Sequence, residues 1–265
     1  LDNRFGVRAV TGLAALLAAL LAPSAHASQP DCQTPAELTR LAHPLAQVGR
    51  KLARKQSVVI VAIGSSSTAG AGASSKSASY PSRLEAELRG RFPGHDIVVH
   101  NRGIGGEEIG DMLKRFGQAV VTAKPDLVLW QLGTNSVLRN RKAGESDAAI
   151  RDGISTIRAT GADLVLIDPQ FAPKVIDKPE AARMVALIAT TAKDAGVGLF
   201  RRFAIMKHWQ DVDKLAFATF VSPDGLHMND WSYACLARGL GEAIAEAARR
   251  PAPVMSATAQ PRVAP

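Results

Sequence analysis

Short unbroken apolar runs recur along the chain, separated by longer stretches with helical periodicity. The run Val58–Ile63 is six residues of mostly β-branched character and stops at Gly64. It is too short for a stable helix and shows no alternation, so it predicts a strand buried on both faces. Ile97–His100, Leu127–Gln131, Leu164–Ile167 and Val197–Phe200 predict four more strands. Between them, helical spacing runs through Pro35–Lys55 with an interruption at Pro44, Tyr80–Arg91 behind a Ser79 N-cap, Glu107–Thr122, residues 146–160, Pro179–Ala195 and residues 231–249. Glu107, Glu108 and Asp111 suit the positive end of a helix dipole, and Asn229 or Asp230 caps the last helix. Strands alternating with helices of this length predict an α/β domain with a mostly parallel sheet of about five strands covered on both faces. Residues 201–220 fit neither period; they carry the aromatic pairs Phe203/Trp209 and Phe217/Phe220, and a place over the ligand crevice is one option for them. No internal repeat or interdomain linker is visible.

The two ends read differently from the middle. Arg4 and Arg8 precede the apolar stretch Ala9–Ala22, and Ala25-His26-Ala27 has the small-x-small form of a cleavage site, so residues 1–27 are expected to be a signal peptide. The apolar stretch is short for a membrane span, and an uncleaved anchor is the alternative. The expected outcome is a domain over residues 28–250 with no stable membrane anchor after cleavage, located in the periplasm or secreted. Residues 251–265, rich in Pro and Ala, are expected to be a disordered tail. Cys32 and Cys235 both lie in the exported part. An even count in an oxidising compartment points to a disulfide between them, with two free thiols as the alternative.

Composition narrows the chemistry. The 265 residues carry a formal charge of +8, but the basic residues are dispersed and aromatics make up only 5%, which argues against a nucleic-acid partner. His43, His95, His100 and His208 show no metal-ligand spacing, so neither a metal nor another cofactor is expected. Gly103, Gly105 and Gly106 fail the dinucleotide spacing, and the serine loop lacks the Gly-Lys-Ser/Thr of a phosphate loop.

Four loops each hold a chemically useful residue. The first strand delivers Ser65, Ser66 and Ser67 to the carboxyl edge of the sheet, where open α/β sheets place ligands. The loop after the second strand ends at Gly106, the third strand leads to Asn135, and Asp224 stands three residues before His227. A serine hydroxyl needs a base, an imidazole supplies one near neutral pH, and a carboxylate fixes the imidazole tautomer. A glycine N–H and a side-chain amide can hold the developing oxyanion. Read singly, three serines in a row are an ordinary turn, Asp224-Gly225 is a turn, and Asn135 is a local cap.

Ile63-Gly64-Ser65-Ser66-Ser67-Thr68-Ala69-Gly70, Asn101–Gly106, Gly133-Thr134-Asn135 and Asp224-Gly225-Leu226-His227 together resemble, in order, the four blocks of the SGNH hydrolases, the GDSL-type esterases. The resemblance spans about residues 58–248. It implies a flavodoxin-like three-layer α/β/α fold. It also implies Ser66 as nucleophile, Asp224 and His227 as acid and base, and an oxyanion hole made by Ser66, Gly106 and Asn135. Two positions depart from the family pattern: Ser65 replaces the aspartate before the nucleophile, and Ser136 stands where G-x-N-D members have a carboxylate. The expected activity is hydrolysis of a carboxylic ester through an acyl-enzyme. The compartment points to acetyl groups on an envelope or extracellular polysaccharide, though a small-molecule ester is equally allowed. Lipase or thioesterase activity, or a catalytically inactive glycan-binding module on the same fold, are the alternatives. Tyr80, Arg102 and Arg139 are further candidates for the cleft. Acyl length, alcohol half and oligomeric state stay open.

Overall fold

The computed structural model describes residues 31–32 and 34–251. The expected signal segment 1–27 and, apart from Pro251, the expected tail lie outside these residues. Five strands, β1 (Val58–Gly64), β2 (Ile97–Gly103), β3 (Leu127–Gln131), β4 (Asp163–Ile167) and β5 (Gly198–Phe200), form one sheet in the order β2-β1-β3-β4-β5. Every pairing is parallel, with Gly64 opposite Gly103, Ile63 opposite Trp130, and Gln131 opposite Ile167. The carboxyl ends of all five strands therefore share one rim. Parallel strands need crossover helices, which cover both faces and leave the central strands dry. Leu127, Val128, Leu129 and Trp130 are accordingly inaccessible to solvent.

The helices follow the expected periods where the chain is uninterrupted. Tyr80–Arg91, Asp147–Arg158, Ala181–Ala195 and Asp230–Arg249 are continuous. Asn229 caps the last of these through its side chain, which accepts from the Ser232 N–H. Ser79 occupies the N-cap position of the Tyr80 helix, but its hydroxyl turns back to the Lys76 carbonyl and caps nothing. The Pro35–Lys55 segment divides into Ala36–Thr39 and Ala46–Ala53, because Pro44 removes a donor and pushes its predecessor out of the helical region. The expected Glu107–Thr122 helix starts later, at Ile109, and breaks after Lys114 into Phe116–Ala119 and a short 3₁₀ turn. Residues 201–220 contain two helices, Arg202–Asp211 and Phe217–Phe220, whose Trp209 packs edge-on against Phe220 and Trp231. Cys32 and Cys235 are disulfide-bonded, with Cα atoms 5.5 Å apart, tying the start of the described chain to the Asp230–Arg249 helix. No described helix is long and apolar enough to cross a membrane.

Candidate active site

β1 hands the chain directly to a one-turn helix, Ser66–Ala69. The approach is tight. A Cβ at Gly64 would stand 2.2 Å from Thr68 Oγ1, and one at Gly103 on the neighbouring strand would stand 2.1 Å from the Ala69 nitrogen. Only glycines let β1, β2 and the serine turn come this close. The turn sorts the three serines: Ser65 and Ser67 are buried, whereas Ser66 is half-buried and faces the rim.

Ser66 Oγ lies 2.8 Å from His227 Nε2, and His227 Nδ1 lies 2.5 Å from Asp224 Oδ2. An ionised carboxylate only accepts, so Nδ1 carries the proton and Nε2 is left as acceptor for the Ser66 hydroxyl. Burial alone would raise the Asp224 carboxyl. Hydrogen bonds from the His227 ring and from the His227 and Leu226 N–H groups outweigh it and hold Asp224 below the ordinary carboxylate range. The local fold explains how a spacing of three suffices. The Ser222 N–H donates to the His227 carbonyl at 2.7 Å, and Val221 pairs antiparallel with Met228, so residues 221–228 close on themselves. Asp224 Oδ1 then accepts both N–H groups at the turn, and its second oxygen is left for the ring.

The loop after β2 brings Gly105 and Gly106 to the same rim. A Cβ on Gly105 would sit 3.9 Å from Ser66 Cβ, and Gly106 has φ +81°, a conformation that favours glycine. Neither the Ser66 N–H nor the Gly106 N–H has an acceptor among the described residues. Asn135 Nδ2 donates to the Glu107 carbonyl at 2.8 Å, which orients the amide and leaves its second N–H free. The structure thus gathers Ser66, Asp224, His227, Gly106 and Asn135, drawn from four loops, at one end of the sheet.

Several residues that sequence reasoning passed over hold this arrangement. Arg115 chelates the Glu107 carboxylate, with contacts of 2.5–2.9 Å, and donates to the Arg102 carbonyl at 2.8 Å. Arg139, a sequence candidate for the cleft, bonds the Gly106 carbonyl at 2.9 Å and Glu108 at 2.7 Å. Gln170 accepts from Thr134 and donates to the Leu226 carbonyl at 3.2 Å, linking the Asn135 turn to the His227 turn. Beneath the serine turn, buried Gln131 offers one oxygen to the Ser65 N–H at 2.9 Å, the Ser65 hydroxyl at 3.1 Å and the Thr68 hydroxyl at 3.2 Å. Gln131 had a readable signal, a polar residue ending an otherwise apolar strand; Arg115 and Gln170 had none. Tyr80, another cleft candidate, is fully buried and does not line the cleft. It meets the Thr68 hydroxyl at 3.3 Å, and burial pushes its phenol up to about 12. Arg102 is exposed at the end of β2.

A parallel five-stranded α/β/α sheet with a Ser–His–Asp hydrogen-bond chain at its carboxyl rim defines an architecture shared by many hydrolytic proteins. Within that class the chain belongs to the Non-GDSL lipase-like family, whose model matches residues 31–250. That membership supports the expected GDSL-type relationship at a coarser level, as a related family. An arylesterase of Vibrio mimicus is 34% identical over 95 residues, which is 36% of this chain and 46% of that protein. Among solved structures, a two-domain esterase active on acetylated mannans superposes with a TM-score of 0.69 at 18% identity, covering 88% of this chain and 61% of that one. An acetyl-xylooligosaccharide esterase variant from Geobacillus superposes with a TM-score of 0.61 at 20% identity, covering 71% of this chain and 94% of that one. The chain thus spans less than two thirds of the arylesterase and of the mannan esterase; at these identities the superpositions establish the shared fold.

Proposed function

We propose that this protein is an exported serine esterase of the SGNH type that hydrolyses carboxylic esters through an acyl-enzyme. The observation that carries the reading is the continuous hydrogen-bond chain from Ser66 Oγ through His227 to Asp224. His227 Nε2 takes the Ser66 proton as Oγ attacks the ester carbonyl, and Asp224 stabilises the imidazolium that forms. The oxyanion is held by the N–H groups of Ser66 and Gly106 and the free N–H of Asn135. His227 then passes its proton to the leaving alcohol, and water, activated by the same imidazole, releases the acid. The removal of one such donor costs about 10²–10³ in turnover.

The substrate we favour is an acetylated polysaccharide. Ile104, Gly105 and Gly106 are exposed at the rim, which leaves Ser66 approachable by a polymer. The solved relatives named for acetylated mannans and acetyl-xylooligosaccharides support the same choice. The disulfide supports an oxidising compartment. Two experiments test the proposal. A fluorophosphonate probe should label wild-type protein at Ser66; absence of labelling would leave a non-catalytic glycan-binding module as the better reading. Against a panel of esters, acetate release should exceed release of longer acids, whereas a preference for long acyl chains would replace the acetyl-esterase reading with a lipase.

A further inference from the structure

Beside the oxyanion loop lies a cavity of about 270 Å³ lined by Glu108, Gly110, Ser136, Arg141, Glu145 and Ser146 together with the apolar Ile109 and Ala149. Its walls come from three places: the start of the Ile109–Lys114 helix, the turn after β3, and the turn before the Asp147–Arg158 helix. The cavity is joined to the site by covalent neighbours and by charge. Ser136 follows Asn135, and Glu108 follows Glu107, the residue whose carbonyl orients the Asn135 amide. Glu108 also binds Arg139, whose other nitrogen holds the Gly106 carbonyl.

The chemistry of the walls narrows the occupant. Ser136 and Ser146 are 4% and 8% exposed, and neither hydroxyl has a hydrogen-bond partner among the described residues. The Glu145 carboxylate has none either, and the Arg141 guanidinium reaches Glu108 only at 3.6 Å. Two hydroxyls, two carboxylates and a guanidinium therefore offer donors and acceptors beside the apolar surface of Ile109 and Ala149 in one concave space. An acyl chain placed there would cover both hydroxyls without pairing them, at about 1–3 kcal/mol for each such group. A phosphate or other compact anion would meet two carboxylates. A ring bearing several hydroxyls satisfies both kinds of group, since each hydroxyl donates and accepts. The volume falls just below the roughly 300–1,000 Å³ of pockets for drug-sized ligands, which matches one sugar ring. Ser136, in place of the carboxylate of G-x-N-D relatives, supplies a neutral donor-acceptor where a third negative charge would otherwise stand.

We propose that this cavity is a subsite for one pyranose ring of the saccharide whose ester is cleaved at Ser66. The assignment rests on the esterase reading for its role in turnover, but binding can be tested without it. Gly110 gives a conservative probe, because a Cβ built there meets nothing within 4 Å and its backbone is helical. Glu145→Ala, a change to an exposed side chain, provides a second probe.

Calorimetry with mannopentaose and xylopentaose measures binding directly. Wild-type protein should bind one of them, and Gly110→Phe should weaken that binding at least fivefold with an unchanged unfolding midpoint; Glu145→Ala should weaken it several-fold. No binding of either sugar by the wild type, or undiminished binding in both variants, would overturn the subsite. In turnover, the ratio of kcat/KM for the acetylated pentasaccharide to that for p-nitrophenyl acetate should fall tenfold or more in Gly110→Phe, through KM. A ratio within twofold of wild type would also overturn it. If wild-type protein binds the sugar but does not hydrolyse p-nitrophenyl acetate, the esterase reading fails while the subsite stands.

Discussion

Ser65 is tied to Gln131 twice, through its N–H at 2.9 Å and its hydroxyl at 3.1 Å, both to the same buried oxygen. The resemblance to the GDSL-type pattern would put an aspartate at position 65, and this contact gives the hydroxyl found there a partner. The third donor to that oxygen, Thr68, completes a floor of hydrogen bonds under the serine turn. A carboxylate at position 65 would face the Gln131 oxygen. The amide could turn its NH₂ toward it only by leaving the backbone N–H and Thr68 without their acceptor. We therefore expect Ser65→Asp to destabilise the fold by about 1–3 kcal/mol, the usual cost of a buried unsatisfied group, and to lower turnover. Denaturant midpoints and p-nitrophenyl acetate kinetics measure both; an Asp variant as stable and active as wild type would show that the Gln131 contact is dispensable.

The three consecutive serines separate by experiment as they do by burial. Ser66→Ala is expected to abolish p-nitrophenyl acetate hydrolysis, while Ser65→Ala and Ser67→Ala retain it. Full activity in Ser66→Ala would move the nucleophile to another residue.

Arg115 touches no substrate atom in the proposed mechanism, yet it fixes Glu107, and the Glu107 carbonyl orients Asn135. Arg115→Lys keeps the charge but loses the two-pronged grip. The expected result is a lower kcat with little change in KM for a small ester. The loss should be bounded by the ~10²–10³ that an oxyanion donor is worth. A raised KM with normal kcat would instead place Arg115 in ground-state binding.

Asp168, at the carboxyl end of β4, is buried against Arg202 and accepts the Phe203 N–H at 2.9 Å. Burial raises its carboxyl to about 7, against the lowering influence of the Phe203 N–H and the Arg202 charge. The folded state therefore holds this proton more tightly than the unfolded chain. Its contribution to stability is full below the unfolded carboxylate range near 4 and is lost as pH rises toward 7. Wild-type denaturation midpoints should fall between pH 4 and 7 more steeply than those of Asp168→Asn, which keeps an acceptor for Phe203 but does not titrate. Parallel profiles for the two proteins would show that Asp168 titrates normally.

The bond between Cys32 and Cys235 closes a loop across a separation of 203 residues. Native protein should show no titratable thiol and two after reduction in denaturant. Removing the bond by Cys32→Ser/Cys235→Ser should lower stability by about 2–5 kcal/mol. Neither cysteine lies within the Ser66–His227–Asp224 chain, so turnover at low temperature is expected to persist.

Periodicity was enough to locate the strands, because the central runs Val58–Ile63 and Leu127–Gln131 are buried on both faces; the edge strand β2 is half-exposed and runs on past the expected His100 to Gly103. The small motifs around Ser66, Gly106 and Asn135 were legible for a related local reason, since each follows a strand, whereas Asp224-x-x-His227 lies in a turn just before the last helix and follows no strand. The break in the helix after Glu108 and the two helices within 201–220 were not legible; in the second case the Trp209 ring packs on Phe220 and on Trp231, 22 residues further along the chain. The supports of the site were hidden for a related reason. Gln131 was marked as a polar end to an apolar strand, but not its partner Ser65, 66 residues away; Arg115 and Gln170, acting on partners 8 and 56 residues away, left no mark in the spacing. Local chemistry is written in neighbouring residues, whereas its orientation is set by which distant backbone oxygens and N–H groups the folded sheet brings within hydrogen-bond reach.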